Sequence, residues 1–294
     1  MSFHSGLKAH LDTGATTLCH AWQIRRVDGV VLGFTDHDLD LNLGGVVYRA
    51  DTGLSATALQ QGTGLAVDNS EALGALSDAA LSEADIEAGR FDAAELTAWL
   101  VNWADTDQRQ LVFRATLGEI RRAGGAFHAE LRGLTEALNR PLGRVYQKPC
   151  PAVLGDAACG VNLAVPGYRS ERPVEVVDAR LTFSFESLPG FDIGWFQRGR
   201  VELLSGEAKG LSGAIKRDRF IDGRRVIELW QPLRAAVAPG DMIRLDAGCD
   251  KRFETCRLKF NNVLNFRGFP DIPGEDWMLA YPSGDGAATG GSRR

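Results

Sequence analysis

Short apolar runs punctuated by tight-turn dipeptides constrain this chain more than any other feature. Asp28-Gly29, Gly44-Gly45, Gly124-Gly125 and Asp222-Gly223 each stand between two runs of strand-forming residues. Such dipeptides accept the positive backbone angles that a two-residue hairpin needs, so each predicts a β-hairpin. Asp28-Gly29 has the signature of a type I′ turn. Around the third turn, Leu111, Phe113, Ala115 and Leu117 alternate with Val112, Arg114, Thr116 and Gly118. The first set is the more apolar and is expected to face a core.

The rest of the chain fits a mainly β protein with short helices. "LSDAALSEADIEAG" predicts a helix from Ser82, with Asp85 in the capping-box position and Gly89 as its stop. "FDAAELTAWLVNWAD" could be helix or strand, and its "WLVNW" favours strand. "LTEALNRPLG" predicts one or two helical turns ending before Pro141. A Pro-, Gly- and small-residue junction without periodicity follows. After it, "VEVVDARLTFSFES" alternates, with Leu181, Phe183 and Phe185 on one face. A meander turning at Gly206, Gly210 and Asp222-Gly223 comes next, and a last strand delivers Cys249. The closing "SGDGAATGGSRR" is expected to be a flexible end.

The chain has 294 residues, 44% hydrophobic and 24% charged, enough for two domains with ordinary cores. Its net charge of −5 argues against a general nucleic-acid-binding surface. The start "MSFHSGLKAHLDTG" has no apolar leader, and no run reaches the ~18 residues of a membrane span. Synthesis in a reducing cytoplasm is expected, where the five cysteines would be free, catalytic or metal-bound.

Four of those cysteines form two close pairs. Eight residues separate Cys150 from Cys159, and six separate Cys249 from Cys256. Cys19 lies far away in a strand and reads as a buried small hydrophobe. Thiolates suit zinc or iron–sulfur clusters. Structural zinc pairs usually have two to four intervening residues, and a larger cluster tolerates wider spacing. An oxidised cubane with four thiolates carries about −2 charge. Lys148, Lys251, Arg252 and Arg257 stand near the candidates and would compensate it. Ala157, Ala158, Gly160 and Gly248 would let backbone approach, and Pro149 and Pro151 would stiffen the first loop. The spacing leaves a cluster, zinc and unrelated cysteines all open.

Other chemistry-bearing stretches read as structural. "FTDHDLD" sets Asp36, His37, Asp38 and Asp40 close in sequence, but neighbours on a strand point to opposite faces, which favours a polar turn over a metal site. His20 and His37 could meet across a hairpin. "KRDRFIDGRR" fits a solvated hairpin tip better than a lining for passing DNA. Trp99, Trp103 and Trp195 are candidates for packing. No nucleophile elbow, metalloprotease helix or phosphate loop is present, so no catalytic residues and no enzyme are expected.

"KPCPAVLGDAACGVNL" and the later "PGDMIRLDAGCDKRFETCRLKFNNVLNFRGFPDIPG" resemble the C-terminal part of phage minor tail protein L. "LGFTDHDLDL", "YRADTGLSATALQQGTGLAVDN", "IEAGRFDAAELTAWLVNW" and "VFRATLGEIRRAGGAFHAELRGL" resemble the tail hub proteins of tailed phages and alphaproteobacterial gene transfer agents. The resemblance covers nearly the whole chain apart from about the last dozen residues. It departs from the shortest members of the minor tail protein family in the 89 residues between Cys159 and Cys249. It implies a [4Fe-4S] cluster held by Cys150, Cys159, Cys249 and Cys256, with zinc as the alternative metal. It also implies a domain order: a tail-tube-related β hub domain at 1–145, a cysteine module at 146–170 and 246–282, an inserted β domain at 171–245, and a tail at 283–294. The implied role is a structural hub of a virion tail tip, most simply a homotrimer, that joins the distal tail protein to tip, fibre and tail-associated peptidase proteins, with DNA passing transiently and no membrane span. An iron–sulfur or thiol redox enzyme and a zinc-stabilised binding module are the competing classes.

Overall fold

The computed structural model describes residues 3–50, 69–73, 82–123, 126–133, 143 and 145–272. The chain divides into two compact units, Met1–Leu142 and Gly143–Arg294. The chain is mainly β, and no helix among the described residues is long and apolar enough to cross a membrane. The stretches "LTEALNRPLG" and "SGDGAATGGSRR" and the Gly124-Gly125 turn lie outside the described residues.

The first unit begins with α1 (Ser5–Asp12), capped when His4 Nδ1 accepts from the Leu7 N–H. Eight strands then form one sheet: β1 (Leu18–Arg25), β2 (Val31–Thr35), β3 (Leu41–Leu43), β4 (Val46–Arg49), β5 (Asn69–Leu73), β6 (Glu95–Asn102), β7 (Arg109–Ala123) and β8 (Ala126–Gly133). Their order across the sheet is β3-β4-β2-β1-β6-β7-β8-β5, antiparallel except for β2 with β4. The alternation in β7 is as its sequence predicts, with Phe113, Ala115 and Leu117 buried. They pack with Trp22, Ile24, Phe34, Leu96 and Leu131. Cys19, Ala21, Tyr48 and Val101 form a separate cluster with Leu41 and Leu43. "WLVNW" enters strand β6. α2 (Glu83–Glu87) starts at Ser82, whose hydroxyl accepts from the Asp85 N–H at 3.1 Å, and ends at Gly89 with φ 73°.

One of the two glycine turns in this unit differs from expectation. Gly44 and Gly45 both have positive φ, as a type I′ turn requires. At Asp28-Gly29 only Gly29 does, and the loop is wider: Arg26 N–H donates to Val30 O and Gly29 N–H to Arg26 O. Asp28 serves instead as an ion-pair partner. Arg26 is 7% exposed and bonds both Asp28 and Asp85, tying this turn to α2. Trp103 is 42% exposed, and Trp22, at 3%, is the most deeply buried tryptophan among the described residues.

The second unit holds β9 (Arg169–Pro173), β10 (Val176–Asp178), β11 (Thr182–Phe185), β12 (Arg200–Leu203), β13 (Ser212–Ile221), β14 (Arg224–Leu229) and β15 (Met242–Asp246). Their order is β10-β11-β14-β13-β12-β15-β9. The two edge strands, β9 and β10, are consecutive in the chain and joined only through Val174 and Glu175, so the sheet must curl back on itself. Its inner face carries Phe183, Phe185, Val201, Ile215, Ile227, Ile243 and Leu245, each 0% exposed. "VEVVDARLTFSF" is not one alternating run. It turns at Ala179-Arg180, both at positive φ, and pairs β10 with β11. Asp222 and Gly223 turn β13 into β14 as predicted. Asp218 and Arg225 form a buried ion pair on this sheet, completed by bonds from Arg225 to the Phe191 and Asp192 carbonyls and from the Phe196 N–H to Asp218. The basic stretch around them is partly neutralised: Lys216, Arg217 and Arg219 all approach Glu228.

Candidate cysteine centre

One strand pairing brings the two cysteine pairs together. β9 runs antiparallel to β15, with Asp246 opposite Arg169. The register continues as the Ala247 N–H donates to the Tyr168 carbonyl at 2.8 Å. The chain that enters β9 carries Cys150 and Cys159, and the chain that leaves β15 carries Cys249 and Cys256. Both therefore emerge at the same end of the sheet, despite the 89 residues between Cys159 and Cys249. The close packing there requires Gly248, where a Cβ would lie 1.6 Å from the Gln197 carbonyl oxygen. Gly248 thus serves contact with the 197–199 segment.

The first loop is built on Asp156. Its carboxylate accepts from the Val153 N–H at 2.8 Å and the Cys159 N–H at 2.6 Å. These bonds, Cys159 first, hold its pKa below the usual carboxylate range. The second loop leads into α3 (Phe253–Leu258), a helix that the sequence reading did not anticipate and that carries Cys256. A 3-10 turn at Val263–Asn265 follows. Lys259, just past α3, donates to the Trp195 carbonyl at 2.6 Å and the Gly248 carbonyl at 2.9 Å, and its ammonium lies 4.2 Å from the Trp195 ring centroid. Burial pushes its pKa down.

All four predicted thiols line one small cavity of about 20 Å³. Apolar side chains of Leu154, Val161, Phe260 and Phe266 share its walls, together with Asn265, Lys251 and Arg252. Cys249 and Cys256 both have raised pKa values. Burial is the main cause in each, and for Cys256 the nearby Cys249, Cys150 and Cys159 add to it. The Lys251 N–H donates to Cys249 Sγ at 3.4 Å and offsets part of the effect. Cys19 is elsewhere, 6% exposed in the first unit, its Sγ donating to the Val101 carbonyl. Burial raises its pKa to about 11.

Among the described residues, no group of three or more His, Cys, Asp or Glu side chains is arranged to hold a single metal ion. The donor set suits a thiolate-bound metal group: four soft donors with apolar walls between them. Phe260 and Phe266 line the cavity, and Phe253 packs edge-on against Phe266. Lys251 and Arg252 line it too, whereas Lys148 and Arg257 are exposed away from its walls.

"FTDHDLD" does turn work. Asp36 accepts from the His20 N–H at 2.6 Å and lies 3.0 Å from His20 Nδ1, Asp40 accepts from the Ala50 N–H, and His37 bonds within its own turn to Leu39. The His37 ring packs on Trp103. His20 therefore meets Asp36 and not His37.

Residues 4–162 match the family described as baseplate hub protein, N-terminal attachment domain. The chain belongs to the baseplate hub protein family. Residues 194–276 of this hub chain match a second family, phage conserved hypothetical protein BR0599. The hub-family match thus contains Cys150 and Cys159, and the second contains Cys249 and Cys256. The hub chain is also similar to a chain in the solved structure of the virion of a native gene transfer agent particle. The two are 52% identical with a TM-score of 0.90, over 98% of this chain and 99% of that one. No curated protein matches it.

Proposed function

We propose that the protein is a structural hub in the tail of a phage-like particle, and that Cys150, Cys159, Cys249 and Cys256 hold a [4Fe-4S] cluster that fastens its second unit. The observation that carries the cluster reading is the convergence of four thiols, from segments that match two different families, on one largely apolar cavity. When bound, a cluster would supply four iron–thiolate bonds that cross-link those segments. Closing so long a loop contributes several kcal/mol by order of magnitude. Zinc is the weaker candidate because structural zinc pairs usually have two to four intervening residues, and these pairs have eight and six.

The role is structural and not catalytic. Membership of the baseplate hub family supports it, as does similarity to a gene transfer agent virion chain over almost the whole length. In the same reading the chain assembles as a homotrimer that joins a distal tail protein to tip, fibre and peptidase proteins and lets DNA pass. Cryo-electron microscopy of particles, with and without this chain, tests the placement. Three copies in a ring at the tail end support it, and particles of normal tail structure without the chain contradict it.

A further inference from the structure

One residue joins the two cysteine pairs through its own hydrogen bonds. Asn262 lies three residues beyond Lys259 in the second arm. Its Nδ2 donates to the Cys159 carbonyl at 2.6 Å and lies 3.8 Å from Cys159 Sγ, across 103 positions of sequence. Its backbone N–H donates to the Cys256 carbonyl at 3.0 Å. Its own carbonyl accepts from Cys256 Sγ at 3.2 Å. The orientation of its amide is set independently: Asn265 Nδ2 donates to Asn262 Oδ1 at 2.8 Å, so the nitrogen end faces Cys159. Asn265 in turn leans on Gly160, where a Cβ would come within 3.2 Å of its Nδ2. Ligand arms that approach from opposite ends of a long insertion need such a register.

We infer that Asn262 is the positioning residue of the cysteine centre, holding the Cys159 and Cys256 arms in register and directing an N–H at the Cys159 thiolate. This rests on the cluster reading above. An N–H aimed at a ligating sulfur withdraws electron density from it, so it favours the reduced cluster and slows ligand loss. The bond between the Cys256 thiol and the Asn262 carbonyl belongs to the protonated thiol. A ligating thiolate has no such proton, so the carbonyl is then free to turn away without disturbing the Asn262 side chain.

The test uses the full chain purified anaerobically, as wild type, Asn262→Asp and Asn262→Ala. Asn262→Ala removes the whole amide, including the Oδ1 that accepts from Asn265, and Asn262→Asp keeps the shape, removes both side-chain N–H donors and adds a charge. Iron and sulfide content, release of iron to a chelator, and the midpoint of an EPR-monitored reduction are measured on each. Both variants are expected to release iron about ten- to a hundredfold faster, and to be reduced at a more negative potential, with Asn262→Asp shifted further. Asn262→Gln, which restores a donor on a longer arm, should recover part of both. A wild-type chain without iron and sulfide overturns the cluster reading itself. A loaded wild type with variants that match it in potential and release rate overturns the role of Asn262. If Asn262→Asp does not fold, Asn265→Ala, which frees the amide to rotate, is expected to show the same potential shift in weaker form, and its absence also overturns the role.

Discussion

The backbone N–H of Cys150 donates to the carbonyl of Lys251 at 2.9 Å. That bond joins the first cysteine loop directly to the second, and the Lys251 ammonium bonds back to the Ala152 carbonyl. Together with Arg267 to the Ala158 carbonyl at 3.1 Å and Phe269 to the Gln147 carbonyl at 2.9 Å, it stitches the C-terminal arm onto the 147–160 loop. These bonds draw the two cysteine loops together, which sets the following expectations.

Serine at Cys150, Cys159, Cys249 or Cys256 should abolish or sharply lower iron content, while Cys19→Ser leaves it unchanged. Iron analysis and the visible absorbance of the purified variants check this. Full retention in Cys256→Ser would remove that residue from the ligand set.

Cys19 should titrate apart from ordinary thiols. Its pKa is raised in the folded state, so the folded chain holds that proton more tightly than the unfolded one. Its contribution to stability is therefore complete below the ordinary thiol pKa of about 9 and is lost as pH rises through about 11. In a chain whose other cysteines are serine, thiolate absorbance should rise near pH 11, and alkylation at pH 8 should be slow. A midpoint near 9 would contradict the burial argument.

The Asp218–Arg225 pair predicts a large cost for breaking it on one side. Both side chains are at most 5% exposed and their polar atoms are satisfied. Asp218→Ala leaves a buried guanidinium without its anion and should destabilise the second unit by about 3–5 kcal/mol. Denaturant unfolding measures this. A change below about 1 kcal/mol would mean that water reaches the site.

Gly248→Ala should prevent normal assembly of the cysteine centre. The added carbon would meet the Gln197 backbone, which has no flexible end to move aside. The variant is expected to lose iron while the first unit keeps its native hydrogen-exchange protection. A variant that loads iron normally would show that the 197–199 segment can shift.

Much of this architecture was legible in the sequence, and the exceptions have physical causes. Gly44-Gly45 and Asp222-Gly223 announce their turns because glycine accepts positive φ without strain. Ala179-Arg180 turns with the same backbone signs, but neither residue has that preference, so the turn shows only in the pairing of β10 with β11. α3 was missed because six residues are too few for a periodic signal, and Lys259 anchors its end from outside the helix. The four ligand candidates were legible as pairs. Their convergence depended on β9 pairing with β15, a contact between distant strands that no local pattern encodes. Asn262 gave no signal beyond an Asn-Asn dipeptide, because its role exists only once Cys159 is brought beside it.

The most direct test of the central claim is the stoichiometry of iron and acid-labile sulfide in the anaerobically purified chain. The account predicts four of each per chain, with the broad visible absorbance of a cubane cluster, lost together on Cys249→Ser. One zinc per chain, or neither metal nor sulfide, would contradict it.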